Sequence, residues 1–201
     1  MIRVLIAEDQ AMVRGALKAL LAMEGDLEIV AETDRADQVL PLAMETRPDV
    51  ALLDIEMPGG DGITAAGQLR TDLPSCKTLI LTTFGRPGFL RRAMESGASG
   101  FMLKDAPAHE LALAIRRTMA GERVIDPGLA AAALSAGVSP LSEREREVLI
   151  ASRGGAGIAE IAKALFLSEG TVRNYLSSAI QKLEVSNRAE AARVAEDLGW
   201  L

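Results

Sequence analysis

The sequence predicts two domains of different class: an α/β domain with a five-stranded parallel sheet over residues 1–120, and an all-α domain over 139–201, joined by a linker at 121–138. Three observations carry this. Strand-length apolar runs alternate with helical spacing through the first 120 residues; the alternation stops after Gly121; and from Leu141 the pattern is helical only.

The strand-length runs are Arg3–Ala7, Glu28–Glu32, Val50–Asp54, Thr78–Thr82 and Gly100–Leu103. Between and after them, Gln10–Met23, Gln38–Thr46, Ile63–Thr71, Gly88–Ser96 and Ala108–Met119 carry helical spacing; Val13, Leu17, Leu20 and Leu21 form one apolar stripe. Strands alternating with helices imply right-handed crossovers and a sheet covered on both faces. The near-continuous apolar runs Val50–Leu53 and Leu79–Leu81 suit such double burial. Pro127, the alanines at 130–133, Gly137 and Pro140 read as a tether, with a short helix around Leu129–Leu134. Beyond it, Ser142-Glu143-Arg144-Glu145 has the form of a capping box. Four helices follow at about 142–152, 158–165, 169–183 and 187–197.

Composition sets limits. The chain has 201 residues, 49% hydrophobic and 25% charged, which describes a globular chain and not a disordered one. Its formal charge of −6 argues against a generally basic nucleic-acid coat. The charge is uneven: residues 1–120 hold 13 basic and 17 acidic side chains, whereas 139–201 hold 8 and 9. Any DNA-reading surface in the second domain is therefore local. A single cysteine, Cys76, excludes an intramolecular disulfide, and a single histidine, His109, excludes a histidine-rich metal centre. The apolar run at Ile2–Ala7 meets Glu8 and Asp9 too soon for a signal peptide, and no stretch is long enough to span a bilayer. A cytoplasmic protein without membrane insertion is expected.

In open α/β sheets, ligands bind beyond the carboxyl ends of the strands, where strand order reverses. With flavodoxin-like order 2-1-3-4-5, those ends carry Glu8 and Asp9, Asp54, Thr82 and Lys104. Three converging carboxylates repel unless a cation neutralises them. A hard divalent ion with oxygen ligands, Mg²⁺, fits that need. Lys104 adds a positive charge and Thr82 a hydroxyl, so the set describes a phosphoryl-transfer site with Asp54 as nucleophile. Each residue alone has a structural alternative: Asp9 a helix cap, Asp54 a strand end, Lys104 a surface amine. All of them at the correct strand ends favour the pocket.

Glu8-Asp9, the run Asp54-Ile55-Glu56-Met57-Pro58-Gly59-Gly60-Asp61-Gly62, Thr82-Thr83, Gly97–Phe101 and Lys104 resemble the receiver domain of bacterial two-component response regulators over residues 1–120. The resemblance implies that Asp54 accepts a phosphoryl group from a sensor histidine kinase. It implies Mg²⁺ ligation by Asp9, Asp54 and the Glu56 backbone carbonyl, with Glu8 assisting. Lys104 and Thr82 would hold the phosphoryl oxygens, and Phe101 would be the aromatic that turns inward with Thr82; a plain core phenylalanine is the alternative. Two departures stand out: Glu8 is often Asp in the family, and Asp105 replaces a frequent proline.

In the second domain, Phe166-Leu167-Ser168 separates two helices at helix-turn-helix spacing, with Ser168 as N-cap. Val172, Leu176, Ile180 and Leu183 form a buried stripe, leaving Arg173, Asn174, Ser177 and Gln181 outward, where Arg pairs with guanine and Asn with adenine. Thr171, Lys182, Asn187 and Arg188 are expected to hold phosphates. A helical bundle with a solvated polar face is the alternative on residues alone. Leu141–Leu149, Ile158–Ala162, Leu167–Tyr175 and Lys182-Leu183 resemble the LuxR-type (NarL/FixJ) output domain, over about 139–201; the glycine-rich run 153–157 departs from it. Asp54–Gly59, residues 81–88, Gly170–Tyr175 and Gly199-Trp200 resemble a DesR-like subgroup linked to membrane-lipid desaturase control.

Together these predict a transcription regulator, not an enzyme, whose phosphorylation on Asp54 promotes homodimerisation and binding to double-stranded DNA. The rivals are a phosphorylation-independent regulator using the receiver fold as a scaffold, and a flavodoxin-like Mg²⁺-dependent phosphatase acting through Asp54. The latter lacks a well-placed second acid, because Glu56 is better placed to give its carbonyl. Cys76 and His109 receive no function.

Overall fold

A computed structural model describes residues 1–83, 86–135, 137 and 139–201. Phe84 and Gly85 of the run 81–88, and Ala136 and Val138 of the linker, lie outside the described residues. The chain divides into two compact units, Met1–Gly85 with Leu90–Ala130, and Arg86–Phe89 with Ala131–Leu201.

Along residues 1–135 run β1 (Ile2–Ala7), α1 (Ala11–Ala22), β2 (Leu27–Thr33), α2 (Val39–Thr46), β3 (Val50–Asp54), the short β4 (Glu56–Met57) and β5 (Gly60–Asp61), α3 (Gly62–Asp72), β6 (Lys77–Thr82), α4 (Pro87–Ser96), β7 (Gly100–Leu103), α5 (Ala108–Met119), β8 (Val124–Ile125) and α6 (Pro127–Ser135), of which the start of α4 and the end of α6 are grouped with the second unit. The main sheet runs β2-β1-β3-β6-β7-β8, and every pairing in it is parallel. Its first five strands reproduce the expected order.

The expected five-stranded sheet is corrected to six strands. Val124 and Ile125 pair with Gly100 and Phe101 and cover the edge of β7. The Val124 and Asp126 amides donate to the Ser99 and Phe101 carbonyls at 3.2 and 3.3 Å. Two residues are too few to show alternation, and the Pro, Ala and Gly content around them reads as tether. The start of the linker therefore belongs to the sheet. It continues into α6, where Pro127 occupies the first helical position and the Asp126 carboxylate accepts from the Leu129 amide at 3.0 Å.

Alternation along each strand divides the core. Val4, Ile6, Leu52, Leu79, Leu81 and Met102 pack with Leu21 of α1 and Leu111 and Ile115 of α5. Leu5, Leu53, Ile80 and Phe101, at the alternate positions, are equally buried and face the other side of the sheet. All five residues of β3 are buried, as its apolar run requires. That fixes the register, and with it the place where Asp54 emerges.

The second unit contains α7 (Glu143–Ala151), α8 (Ile158–Leu165), α9 (Glu169–Lys182) and α10 (Arg188–Asp197) around a core of Leu141, Val148, Leu149, Ile161, Val172, Leu176 and Ala179. The capping box forms as expected: Ser142 Oγ accepts from the Glu145 amide, and Glu145 Oε2 accepts from the Ser142 amide at 2.6 Å. Ser168 caps α9 through the Thr171 amide at 3.1 Å. The glycine-rich junction is an ordered turn, with Gly154 and Gly155 at φ 73° and 85°. The Arg188 guanidinium donates to the Ala156 carbonyl at 2.9 Å and ties this turn to α10.

Candidate functional site

Parallel neighbours β1, β3, β6 and β7 end together at one edge of the sheet. Glu8 and Asp9 follow β1, Asp54 and Thr82 close β3 and β6, and Lys104 follows β7. Carboxylate oxygens of Glu8, Asp9 and Asp54 lie within 4.8 Å of one another. The Lys104 ammonium lies 2.7 Å from Glu8 Oε2 and 2.9 Å from Asp54 Oδ2. Asp54 Oδ1 accepts from the Ile55 amide at 2.7 Å. Glu8, Asp54 and Thr82 are buried, whereas Asp9 and Glu56 are exposed. A cavity of about 130 Å³ opens among Asp9, Gln10, Asp54, Glu56, Thr82 and Thr83. Since a single water needs only about 10–15 Å³, a phosphoryl group and solvent both have room.

Backbone geometry holds this arrangement. The Lys104 amide donates to the Thr82 carbonyl at 2.8 Å, which ties the loop after β7 to β6. Met57-Pro58-Gly59-Gly60 turns the chain after Asp54, with Pro at the second position and Gly59 at φ 82° in the third, as a type II turn demands. Gly62 then returns so close that an added Cβ would sit 1.9 Å from the Asp54 carbonyl oxygen. The Lys104–Asp105 peptide is trans.

Burial pushes the Glu8 and Asp54 carboxyls above their ordinary pKa, with Lys104 pulling the other way. Burial also disfavours the Lys104 ammonium, but its hydrogen bonds to the two carboxylates outweigh that and raise its pKa. The pocket thus holds more negative charge than one lysine neutralises. Its all-oxygen donor set suits a hard divalent cation.

Two further groups shape the pocket without being evident from sequence. The Arg14 guanidinium donates to the Glu8 carbonyl at 2.5 Å, and the Gln10 amide donates to Glu8 Oε1 at 3.2 Å. Arg14 sits one helical turn beyond the pocket, and that spacing is the one sequence signal pointing to it. Phe101 is completely buried in β7, which suits either of its two readings.

In the second unit, Arg173, Asn174, Ser177 and Gln181 are exposed on one side of α9 while Val172, Leu176 and Ala179 are buried. Arg173 pairs with Glu169 at 2.8 Å on its own helix. The residues expected at phosphates have local partners. Asn187 caps α10 by accepting from the Glu190 amide at 3.0 Å, Thr171 shares a hydrogen bond with the Ser168 hydroxyl, and Arg188 holds the Ala156 carbonyl. Lys182 pairs with the buried Glu145 at 2.7 Å.

Residues 4–116 match the family described as the response regulator receiver domain. The chain belongs to the two-component response regulators. Residues 139–195 match the bacterial regulatory proteins of the luxR family, which makes this response regulator one of the NarL/FixJ group. The chain is 44% identical over 200 residues to the transcriptional regulatory protein DesR of Bacillus subtilis (strain 168), covering 100% of this chain and 99% of that one, and it falls in the DesR-like subgroup. Among solved structures it resembles the response regulator ChrA of a heme-sensing two-component system, at 34% identity and TM-score 0.60, covering 100% and 98% of the two chains. It also resembles RcsB in its DNA complex, at 26% identity and TM-score 0.71, covering 97% and 98%. Response regulators of this group are DNA-binding transcription regulators and not enzymes, which sets aside the phosphatase reading. Among the described residues, no helix is long and apolar enough to cross a membrane.

Proposed function

We propose that this response regulator is switched by phosphorylation of Asp54 and reads DNA through α9. The observation that carries the first part is the convergence of Asp54, Lys104 and the carboxylates of Glu8 and Asp9 at one sheet edge. An Asp54 oxygen attacks the phosphorus of a phosphohistidine on a sensor kinase; the P–N bond breaks, and an acyl phosphate forms as the histidine leaves. Lys104 holds one phosphoryl oxygen and Thr82 a second. Asp9, Asp54 and the Glu56 carbonyl, with Glu8 behind them, would hold Mg²⁺, which offsets negative charge as the phosphoryl group arrives. Drawing Lys104 and Thr82 toward the phosphoryl group changes β6 and β7, where Phe101 lies, and biases a two-state surface of the receiver.

Phosphorylation promotes a homodimer. The receiver carries an apolar groove of about 290 Å³ lined by Met12, Val13, Leu17, Leu20, Met102 and Leu111, with Met12 and Leu20 themselves exposed. A second copy of the receiver is the occupant that suits it, because pairing is what a near-neutral output domain requires. With 8 basic and 9 acidic residues, one such domain has little general attraction for DNA. Two tethered copies on half-sites about one helical turn apart gain through effective concentration. Arg173, Asn174 and Ser177 face outward for base edges, with Thr171, Asn187 and Arg188 near the phosphates. Such a protein works where the DNA is, in the cytoplasm.

The test is DNA affinity with and without beryllofluoride, which mimics the phosphoryl group on Asp54. Loaded protein should dimerise and bind a selected duplex more tightly than unmodified protein. Equal affinity and an unchanged oligomeric state would support the phosphorylation-independent alternative.

A further inference from the structure

The Glu145 carboxylate is 4% exposed, yet its hydrogen bonds go to groups that matter for α9 or for the start of α7. Oε1 accepts from the Ser178 hydroxyl at 2.6 Å. Oε2 accepts from the Ser142 amide at 2.6 Å and from the Lys182 ammonium at 2.7 Å. Ser178 and Lys182 are one turn apart on α9 and occupy the flank between its buried stripe and its outward face. A single buried anion therefore grips α9 at two points, 33 and 37 residues away in sequence. Burial opposes its ionisation, but the Lys182, Ser178 and Ser142 hydrogen bonds prevail and hold the carboxyl at about 2.

Two consequences follow from this geometry. Hydrogen bonds from two successive turns of α9 resist rotation of the helix about its axis, which apolar packing by Val172, Leu176 and Ala179 resists less directionally. Rotation is the motion that would misdirect Arg173, Asn174 and Ser177. Second, the Lys182 ammonium is engaged by Glu145 even though its side chain is 39% exposed. A lysine at the edge of a reading helix ordinarily adds a sequence-independent phosphate contact. Here the ammonium already has a buried carboxylate partner, so a phosphate would have to compete with Glu145 for it.

We propose that Glu145 is a positioning residue for DNA reading: it fixes the rotation of α9 through Ser178 and Lys182, and it neutralises Lys182 so that non-specific attraction to DNA stays low. This rests on the DNA-binding reading of the second unit and assigns Lys182 a role different from the expected phosphate contact.

The experiment measures binding of beryllofluoride-loaded full-length protein to a random-sequence duplex and to a duplex selected by the wild type, across salt concentrations. Glu145→Gln keeps the size of the side chain but removes its charge. It should bind the random duplex with a log K against log salt slope steeper by about 0.9, one added phosphate contact, and should lose discrimination between the duplexes. That slope change is a difference of about 3.5-fold in salt sensitivity between 50 and 200 mM. Lys182→Met should keep the wild-type slope, and the double variant should return to it. A merely structural role for Glu145 would weaken binding without steepening the slope. The proposal is overturned if Glu145→Gln leaves the slope unchanged, or if Lys182→Met flattens it by about 0.9. The Lys182→Met result decides by itself should Glu145→Gln fail to fold. Absence of wild-type binding to every duplex would overturn the DNA reading itself, a separate outcome.

Discussion

Lys104 Nζ lies 2.9 Å from Asp54 Oδ2 while also holding Glu8 at 2.7 Å, so one ammonium from the end of β7 bridges the acids at the ends of β1 and β3. Replacing Lys104 with Met leaves two buried carboxylates facing each other, both already pushed up by burial. It also removes a donor aimed at the place where phosphoryl charge arrives. Labelling from acetyl phosphate should fall by about 100-fold or more, the usual loss of one such donor. Retention of wild-type labelling in Lys104→Met would remove Lys104 from the mechanism.

Gly62 is sterically tied to Asp54. An alanine there brings a Cβ within 1.9 Å of the Asp54 carbonyl oxygen, and that neighbour is backbone, which cannot swing aside. Gly62→Ala should destabilise the first unit by about 1–3 kcal/mol in urea unfolding. It should also slow phosphorylation, because the end of β3 must move. Unchanged stability would show that the turn after Asp54 relaxes freely.

On α9, Arg173 is exposed and pairs with Glu169 of its own helix. Exposed pairs of this kind contribute little, so exchanging Glu169 for a base edge costs little. Arg173→Ala should cost about 1–3 kcal/mol on the selected duplex and less on random DNA, as measured by parallel titrations. Equal losses on both duplexes would make Arg173 a phosphate contact.

Acid should unfold the second unit through Glu145. Its carboxyl is held down at about 2 from an ordinary 4.5, so its contribution is complete above about 4.5 and disappears as pH falls through about 2. The chain's one tryptophan and one tyrosine, Trp200 and Tyr175, both lie in this unit, and their fluorescence follows its unfolding. Urea midpoints read this way should fall between pH 4.5 and 2 in the wild type, and less steeply in Glu145→Gln. Identical pH profiles for the two proteins would show that this carboxylate does not govern the acid transition.

Most of the sheet is legible in the sequence, because β3 and β6 are apolar runs bounded by turn residues and their ends carry chemistry. Asp54, Lys104, Glu8 and Asp9 can be named from sequence alone, since parallel strand order brings those ends together. β8 is hidden there, as a two-residue strand has no period to detect. Arg14 and Gln10 escape notice because they act on Glu8 through the backbone and a single loop amide. Glu145 is recognisable as half of a capping box, but its contacts with Ser178 and Lys182 depend on how α7 packs against α9. For Lys182, Asn187 and Arg188, sequence shows a basic or amide group but not the local partner that each also has in the structure.

Labelled acetyl phosphate with Mg²⁺ tests the role of Asp54 as phosphoacceptor. The expected result is stoichiometric, hydroxylamine-sensitive label on the wild type, none on Asp54→Asn, and loss of labelling when Mg²⁺ is chelated. Full labelling of Asp54→Asn would contradict it.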